Sequence, residues 1–365
     1  MSARIDAFLQ LGREQGCSDL HLAVGYPPML RMMGDINPIH YRALTADELR
    51  GLVYEILSES QRAAFETERD LDFCYSPTET ERYRFNVFRK RGEVAAAIRI
   101  VPSKIPALAD LGLPPIVSRL AQSPNGLLLV TGPTGSGKTT TLAAIVNMLN
   151  ETKALNIIAI EDPVEFVHKS KASLVVQREV GTSVPSFAAG LRSALREDPD
   201  VILAGELRDA DTITTAITAA ETGHLVLGTL HTMSAVKTID RIIDLLPEDA
   251  KRQGAMLLAQ HLRGVVSQTL LVRPNRQARR AIAEVLVMTP AIANLVLTGK
   301  TIQIPALMMT GRDQGMCLMD QMLLDAVQAK EVDPDAAYQH AQDKKLLQRF
   351  VTDPKLLPQV SLVGR

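Results

Sequence analysis

Apolar positions along the chain change their spacing several times, and each change predicts a different element. Near the start, Ile5, Phe8, Leu9 and Leu11 recur at helical intervals, which predicts an amphipathic opening helix. SDLHLAV and PMLRMMG then read as two strands around a turn at 25–28. Thr45 is a helix cap with Glu48 three residues on as a capping box, and Leu49, Leu52, Val53 and Ile56 line the buried face of that helix. A second short helix is expected near Gln61. LDFCY, RYRFNVF and VAAAIRIV return to alternation and predict an antiparallel sheet. In RYRFNVF a period of two puts Tyr83, Phe85 and Val87 on one face and Arg82, Arg84 and Asn86 on the other. That polar face either meets solvent or, together with Arg99, reaches a phosphate group bound elsewhere.

From 102 to 124 five prolines interrupt the pattern, with room for one short helix at Ile116–Ala121. Beyond them, short apolar runs alternate with helical spacing. NIIAI, DVILAG and HLVLGT read as strands, and 186–196 and 209–221 as helices between them. This alternation predicts a parallel sheet with helices on both faces and ligands at the carboxyl ends of its strands. The remainder reads as mostly helical: 251–271 as a helix carrying Met256, Leu257, Leu258 and Leu262, then RPNRQARR as an exposed basic loop and IAEVLVM as a strand. Met308, Met309, Met316 and Met319, around Gly311 and Gly315, serve packing or a partner surface. The expected division is 1–104 as a small α+β domain, 105–124 as a linker, 125–290 as an α/β core and 291–365 as a C-terminal helical region.

Composition narrows the function classes. With 365 residues the chain is long for a single core, and 46% hydrophobic residues supply packed interiors. A net charge of -1, no tryptophan and 4% aromatic residues argue against a nucleic-acid partner. Cys17, Cys74 and Cys317 are far apart and form no CxxC pair, so neither a disulfide framework nor a zinc site is indicated. The N-terminus carries Asp6 and Glu14 without a long apolar stretch, so it is not a signal peptide, and no run is long enough to span a membrane. A cytoplasmic protein is expected.

The chemistry concentrates in GLLLVTGPTGSGKTTTL, residues 126–142. An apolar strand leads into Gly132, Pro133, Thr134, Gly135, Ser136, Gly137, Lys138, Thr139 and Thr140, and a helical pattern follows. That is G-x-x-x-x-G-K-T between a strand and a helix. A polyphosphate needs several inward N–H donors, which glycines permit by removing Cβ from the path, and the helix start adds its positive dipole end. Lys138 then meets the β and γ phosphates of ATP, and Thr139 offers a hydroxyl to Mg²⁺.

Acids follow where the sheet rule places them. Glu161, Asp162 and Glu165 lie just past the second strand of this region, available to orient water or to hold Mg²⁺ and its waters. Glu206 ends the next strand, where a buried run delivers one carboxylate beside the metal, and Arg208 and Asp209 can pair as a helix start with Asp209 as cap. His224 and His231 flank the fourth strand. His231 falls at its carboxyl end and suits a sensor or donor role, whereas His224 is either structural or functional.

GPTGSGKTTTL, IAIEDPVEF, LREDPDVILAGELRD and TGHLVLGTLHT, in that order, resemble the Walker A, Asp box, Walker B and His box of secretion-type hexameric ATPases, nearest to PilT-like type IV pilus retraction motors. SDLHLAVGYPPMLRMMGDI and RYRFNVFRKRG resemble that family's PAS-like N-terminal domain, and the likeness runs to about residue 320. The resemblance implies an α/β fold, a RecA-like P-loop ATPase core with a parallel sheet preceded by a small α+β PAS-like domain. It implies a homo-hexamer, peripheral at the inner-membrane base of the pilus, that spends ATP on removing pilin at an inner-membrane platform protein. By matching positions, Glu165 is the general base and Glu206 the Walker B acid. Thr139, Glu161, Asp162 and Glu206 surround Mg²⁺, and His224 and His231 form the His-box pair. Arg82, Arg84 and Arg99 match arginines with which the family approaches a nucleotide at a domain or subunit boundary.

One segment departs from the pattern. Where the retraction branch resembles A-I-R-N-L-I-R-E, residues 291–298 read AIANLVLT, without either arginine or the glutamate. Hydrolysis is therefore expected, while retraction is shared with a second retraction ATPase if this chain is an accessory paralogue. The alternatives are a pilus-extension or secretion ATPase, a nucleotide-binding ring component that does not hydrolyse, and a nucleic-acid translocase.

Overall fold

The computed structural model describes residues 3–32, 35–78, 81–101, 104–275 and 278–357. Met33 and Gly34 of the second expected strand, Pro102 of the proline-rich stretch, Arg276 and Gln277 of the basic loop and residues 358–365 lie outside the described residues. The chain divides into two compact units, Met1–Lys104 with Glu165–Val167, and Ile105–Val164 with His168–Arg365.

The first unit opens with helix α1 (Asp6–Glu14), followed by strands β1 (Asp19–Ala23), β2 (Met29–Met32) and β3 (Asp35–Pro38). Helices α2 (Ala46–Tyr54) and α3 (Glu59–Glu68) precede strands β4 (Asp70–Thr78), β5 (Glu81–Lys90) and β6 (Glu93–Val101). All pairings are antiparallel, in the order β3-β2-β1-β6-β5-β4. Alternation decides the faces: Tyr83, Phe85 and Val87 are buried with Ile98, Leu20, Leu49 and Phe65, while Arg84 and Arg99 are exposed. Thr45 caps α2 by accepting from the Glu48 N–H. Only half of the expected capping box forms, because the Glu48 carboxylate takes two hydrogen bonds from Arg42 at 2.7 and 2.8 Å. The complete box sits instead at α3, between Ser58 and Gln61. Exposed β3, too polar to signal itself by alternation, was not foreseen.

The second unit is built on a seven-stranded sheet. After helix α4 (Ile116–Ala121) come strand β7 (Gly126–Thr131), helix α5 (Lys138–Thr152), strands β8 (Asn156–Glu161) and β9 (Leu174–Glu179), and helix α6 (Phe187–Ala194). Strand β10 (Val201–Ala204), helix α7 (Ala210–Glu221), strand β11 (Leu225–Leu230) and helices α8 (Ala235–Leu245) and α9 (Lys251–His261) follow, then strands β12 (Leu262–Val272) and β13 (Arg279–Val287). The order is β13-β12-β7-β11-β10-β8-β9, parallel throughout except for the β12–β13 hairpin. β7 is buried along its whole length, with Leu127 and Leu129 in the core on one face and Leu128 and Val130 in the core on the other. Each such leucine contributes about 1.5–3 kcal/mol through burial, so the strand that leads into the glycine loop is held from both sides.

Two stretches depart from expectation. The helix begun at Lys251 ends at His261, and 262–272 is a strand, not helix. Its β-branched Val265, Val266 and Thr269 fit a slot between β7 and β13 where both faces are covered. The proline-rich stretch also packs with the sheet: Leu108, Ile116, Val117 and Leu120 are buried beside Leu128 and Val285. The C-terminal helices α10 (Pro290–Leu297) and α11 (Ile304–Thr310) extend the core through Ile292, Val296, Ile304 and Met308. Helices α12 (Met319–Gln328), α13 (Pro334–His340) and α14 (Lys344–Leu347) form a cluster of their own with Leu271 and Ile282.

Candidate functional site

Parallel pairing brings the carboxyl ends of β7, β8, β10, β11 and β12 to one edge of the sheet, and the candidate residues are read from there. β7 ends at Thr131, and the loop to α5 requires its glycines. Gly132 has φ 140°, and a Cβ there would lie 2.1 Å from the Gln268 carbonyl oxygen. Gly137, at φ 90°, precedes α5, and a Cβ there would lie 2.8 Å from Gln268 Nε2. Both positions exclude any side chain on backbone and packing grounds together. Lys138 is buried and its ammonium donates to the carbonyls of Gly132 (2.9 Å) and Pro133 (3.0 Å). Thr139 and Thr140 follow in the first turn of α5, half-buried, while Thr134 and Gly135 are exposed at the loop tip.

Behind the loop lies a buried polar layer. The Thr131 and Ser267 hydroxyls are 2.8 Å apart, the Thr238 hydroxyl donates to Thr131 Oγ1 at 3.4 Å, and the Thr232 and Thr238 hydroxyls are 2.7 Å apart. Gln268 Nε2 donates to the Ser136 carbonyl (2.7 Å), and its Oε1 accepts from the Thr141 hydroxyl (2.8 Å). Buried Glu284 accepts from the N–H of Ala235 (2.8 Å) and of Met319 (3.3 Å), at the first turns of α8 and α12. Burial pushes the Glu284 carboxyl above its usual range, against the pull of these two bonds.

The acids divide between two strands. Glu161 is buried at the end of β8 and accepts from Gln177 Nε2 (2.8 Å), whereas Asp162 is exposed. The turn that carries Glu165 is pinned by the Val164 N–H, which donates to Glu179 Oε2 (3.0 Å). Glu165 itself is half-buried. After β10, Glu206 Oε1 lies 2.8 Å from Arg208 Nε and 3.3 Å from His231 Nε2. Burial opposes ionisation of Glu206, but the Arg208 guanidinium and His231 outweigh it and hold the carboxyl below its ordinary range. Arg208 thus pairs with Glu206 and not with Asp209, which caps α7 by accepting from the Thr212 N–H at 2.8 Å.

His231 joins this group and His224 does not. β11 starts beside Gly126 and ends beside Thr131, so His224 sits at the amino edge, roughly 20 Å from His231 at the strand's rise per residue. There His224 Nδ1 donates to the Ala219 carbonyl (2.9 Å) and its own carbonyl accepts from the Gly126 N–H (3.0 Å). His224 and His231, the His-box pair that the resemblance implies, thus stand at opposite edges of the sheet. Arg82, Arg84 and Arg99 belong to the first unit: Arg84 and Arg99 face each other across β5 and β6, and Arg99 Nε meets Asp19 Oδ1 at 3.2 Å.

Sequence reasoning missed Gln268, Ser267, Gln177 and Glu179. The available signals were the polar trio 267–269 inside an apolar run and the acid and amide of an unrecognised edge strand. Among the described residues no group of three or more His, Cys, Asp or Glu is assembled to hold a metal by itself. The fit for a phosphate chain rests on the loop: Ser136 Oγ is buried and, among the described residues, has no hydrogen-bond partner. It stands beside a glycine cradle and a buried ammonium.

The Type II/IV secretion system protein family matches residues 92–331. The chain is 46% identical to the type IV pilus retraction ATPase PilT of Pseudomonas aeruginosa, over 87% of this chain and 92% of that protein. It is 37% identical to the type IV pilus ATPase PilU of the same organism, over 92% of this chain and 88% of that protein. A crystal structure of the pilus retraction motor PilT with bound ADP superposes with a TM-score of 0.86 at 42% identity, covering 94% of this chain and 98% of that one. No helix among the described residues is long and apolar enough to cross a membrane.

Proposed function

The chain belongs to the Type II/IV secretion system protein family, and we propose that it is an ATP-hydrolysing motor of type IV pilus retraction. The observation that carries the reading is the cradle of Gly132, Ser136, Gly137 and Lys138 at the start of α5, with Glu206 at the exit of β10, two strands along the same sheet edge. In this reading the loop amides and Lys138 hold the β and γ phosphates. Thr139, Glu206, Glu161 and Asp162 serve Mg²⁺ and its water shell, and Glu165 takes the proton of the attacking water. Mg²⁺, when bound, neutralises charge that builds on the phosphate oxygens. His231 reports the state of the terminal phosphate to Glu206. Arg82, Arg84 and Arg99 serve turnover more than nucleotide affinity. The working form is a homo-hexamer in the cytoplasm at the inner-membrane pilus base, with a platform protein as partner.

A second reading assigns an accessory role beside another retraction ATPase. It is favoured by α10, where Ala293 and exposed Leu297 stand in place of the two arginines, and by the likeness to PilU. One pair of strains separates the readings. Deleting the gene is expected to leave excess surface pili and abolish twitching, and loss of surface pili would contradict retraction. A Glu165→Gln replacement is expected to reproduce the deletion, whereas normal twitching in that strain would favour the accessory role.

A further inference from the structure

Gln268 occupies a position that the nucleotide reading does not use. It is 3% exposed on β12, a strand buried on both faces, in a layer where an unpaired amide is costly. Both ends of its side chain are engaged, and both engage the phosphate-loop region: Nε2 on the Ser136 carbonyl, Oε1 on the Thr141 hydroxyl. Its backbone carbonyl fixes the close approach of Gly132, and its amide nitrogen the close approach of Gly137. One residue therefore touches the loop at its first glycine, at its buried serine and at its last glycine, and also grips α5. Ser267, its neighbour, meets Thr131 on the last residue of β7.

From this geometry we propose that Gln268 is a positioning residue for the phosphate loop, acting through the Ser136 carbonyl and the Thr141 hydroxyl. The loop would otherwise have to order itself when nucleotide arrives. A preset loop lowers that cost in the ground state and in the transition state alike, so its effect falls on affinity and KM more than on kcat. Thr141 gives the cleanest handle, because Thr141→Val keeps the shape and loses the hydroxyl, whereas Thr141→Ser keeps the hydroxyl.

The proposal rests on the nucleotide reading, and the experiment separates the two. ADP binding by calorimetry, ATP turnover and unfolding without nucleotide are measured on the full chain for wild type, Gln268→Leu, Thr141→Val and Thr141→Ser. Expected are a rise in ADP Kd and in KM of about 10-fold for Gln268→Leu and about 3-fold for Thr141→Val, with kcat changed less than about 3-fold. Thr141→Ser is expected to bind like wild type. If wild type itself binds no ADP, the nucleotide reading fails and this inference with it. If wild type binds and Thr141→Val and Thr141→Ser bind equally well, Gln268 is only a packing residue and the proposal is overturned. Should Gln268→Leu not fold, the Thr141 pair decides alone.

Discussion

The parallel sheet has two edges, and they are finished in different ways. At the amino edge most polar groups answer one another, although Asn156 Oδ1 is buried without a partner among the described residues. The Asn156 N–H donates to Asp200 Oδ2 at 2.8 Å, Arg263 Nη2 to Asn125 Oδ1 at 2.6 Å, and His224 to Ala219 at 2.9 Å. At the carboxyl edge the groups gather around the glycine loop: an ammonium rests on two loop carbonyls, a buried serine hydroxyl lacks a partner among the described residues, and a carboxylate is shared by an arginine and a histidine. A closed edge contributes stability. An edge whose ammonium is held by its own loop can exchange those contacts for a phosphate chain.

The largest expected effect that sharpens this contrast is at Glu206. Glu206→Gln keeps the shape and removes the charge held by Arg208 and His231, and turnover should fall at least ~100-fold with nucleotide affinity little changed. A fall under about 3-fold would place Glu206 outside the chemistry. Next is His231→Ala, which removes one of the two groups on Glu206 and should lower kcat by about 10-fold. His224→Ala, at the closed edge, should leave kcat within about 2-fold and lower stability by about 1 kcal/mol through the lost bond to Ala219. Equal losses of turnover in the two histidine variants would break the comparison.

The smallest effect on turnover, none, is expected at a third histidine. His168 is half-buried beside Lys171, and desolvation above all lowers its pKa from 6.5 to about 4. The unfolded chain therefore binds a proton that the folded chain refuses between those values. Stability is complete above about pH 6.5 and declines as pH falls toward 4, by on the order of 3 kcal/mol. Denaturant unfolding at pH 7 and pH 5 should show this decline, and His168→Gln should flatten it while turnover at pH 7 is unchanged.

What could be read from the sequence divides along similar lines. The phosphate loop is contiguous, and its glycines, lysine and hydroxyl must follow one another for the backbone to wrap an anion, so 132–140 declared itself. Glu161 and Glu206 were legible because parallel strands deliver their last residues to one edge. The two histidines, by contrast, look equivalent in GHLVLGTLHT, and only the direction of β11 separates them. β12 was hidden because the helical spacing of Leu258 and Leu262 runs up to it, although its two valines and Thr269 favour a strand. The polar layer behind the loop joins residues 136 positions apart, Thr131 to Ser267, and no local pattern announces a bond across that separation. Edge strands β3 and β9 carry too many polar residues to show alternation.

The measurement that bears most directly on this account is steady-state Mg²⁺-dependent ATP turnover by the purified chain beside its Lys138→Ala variant. Wild type should turn over ATP, and the variant should lose at least ~100-fold of that activity while unfolding with the same cooperativity. Turnover that survives in Lys138→Ala would contradict the placing of a phosphate chain at the carboxyl edge of the sheet.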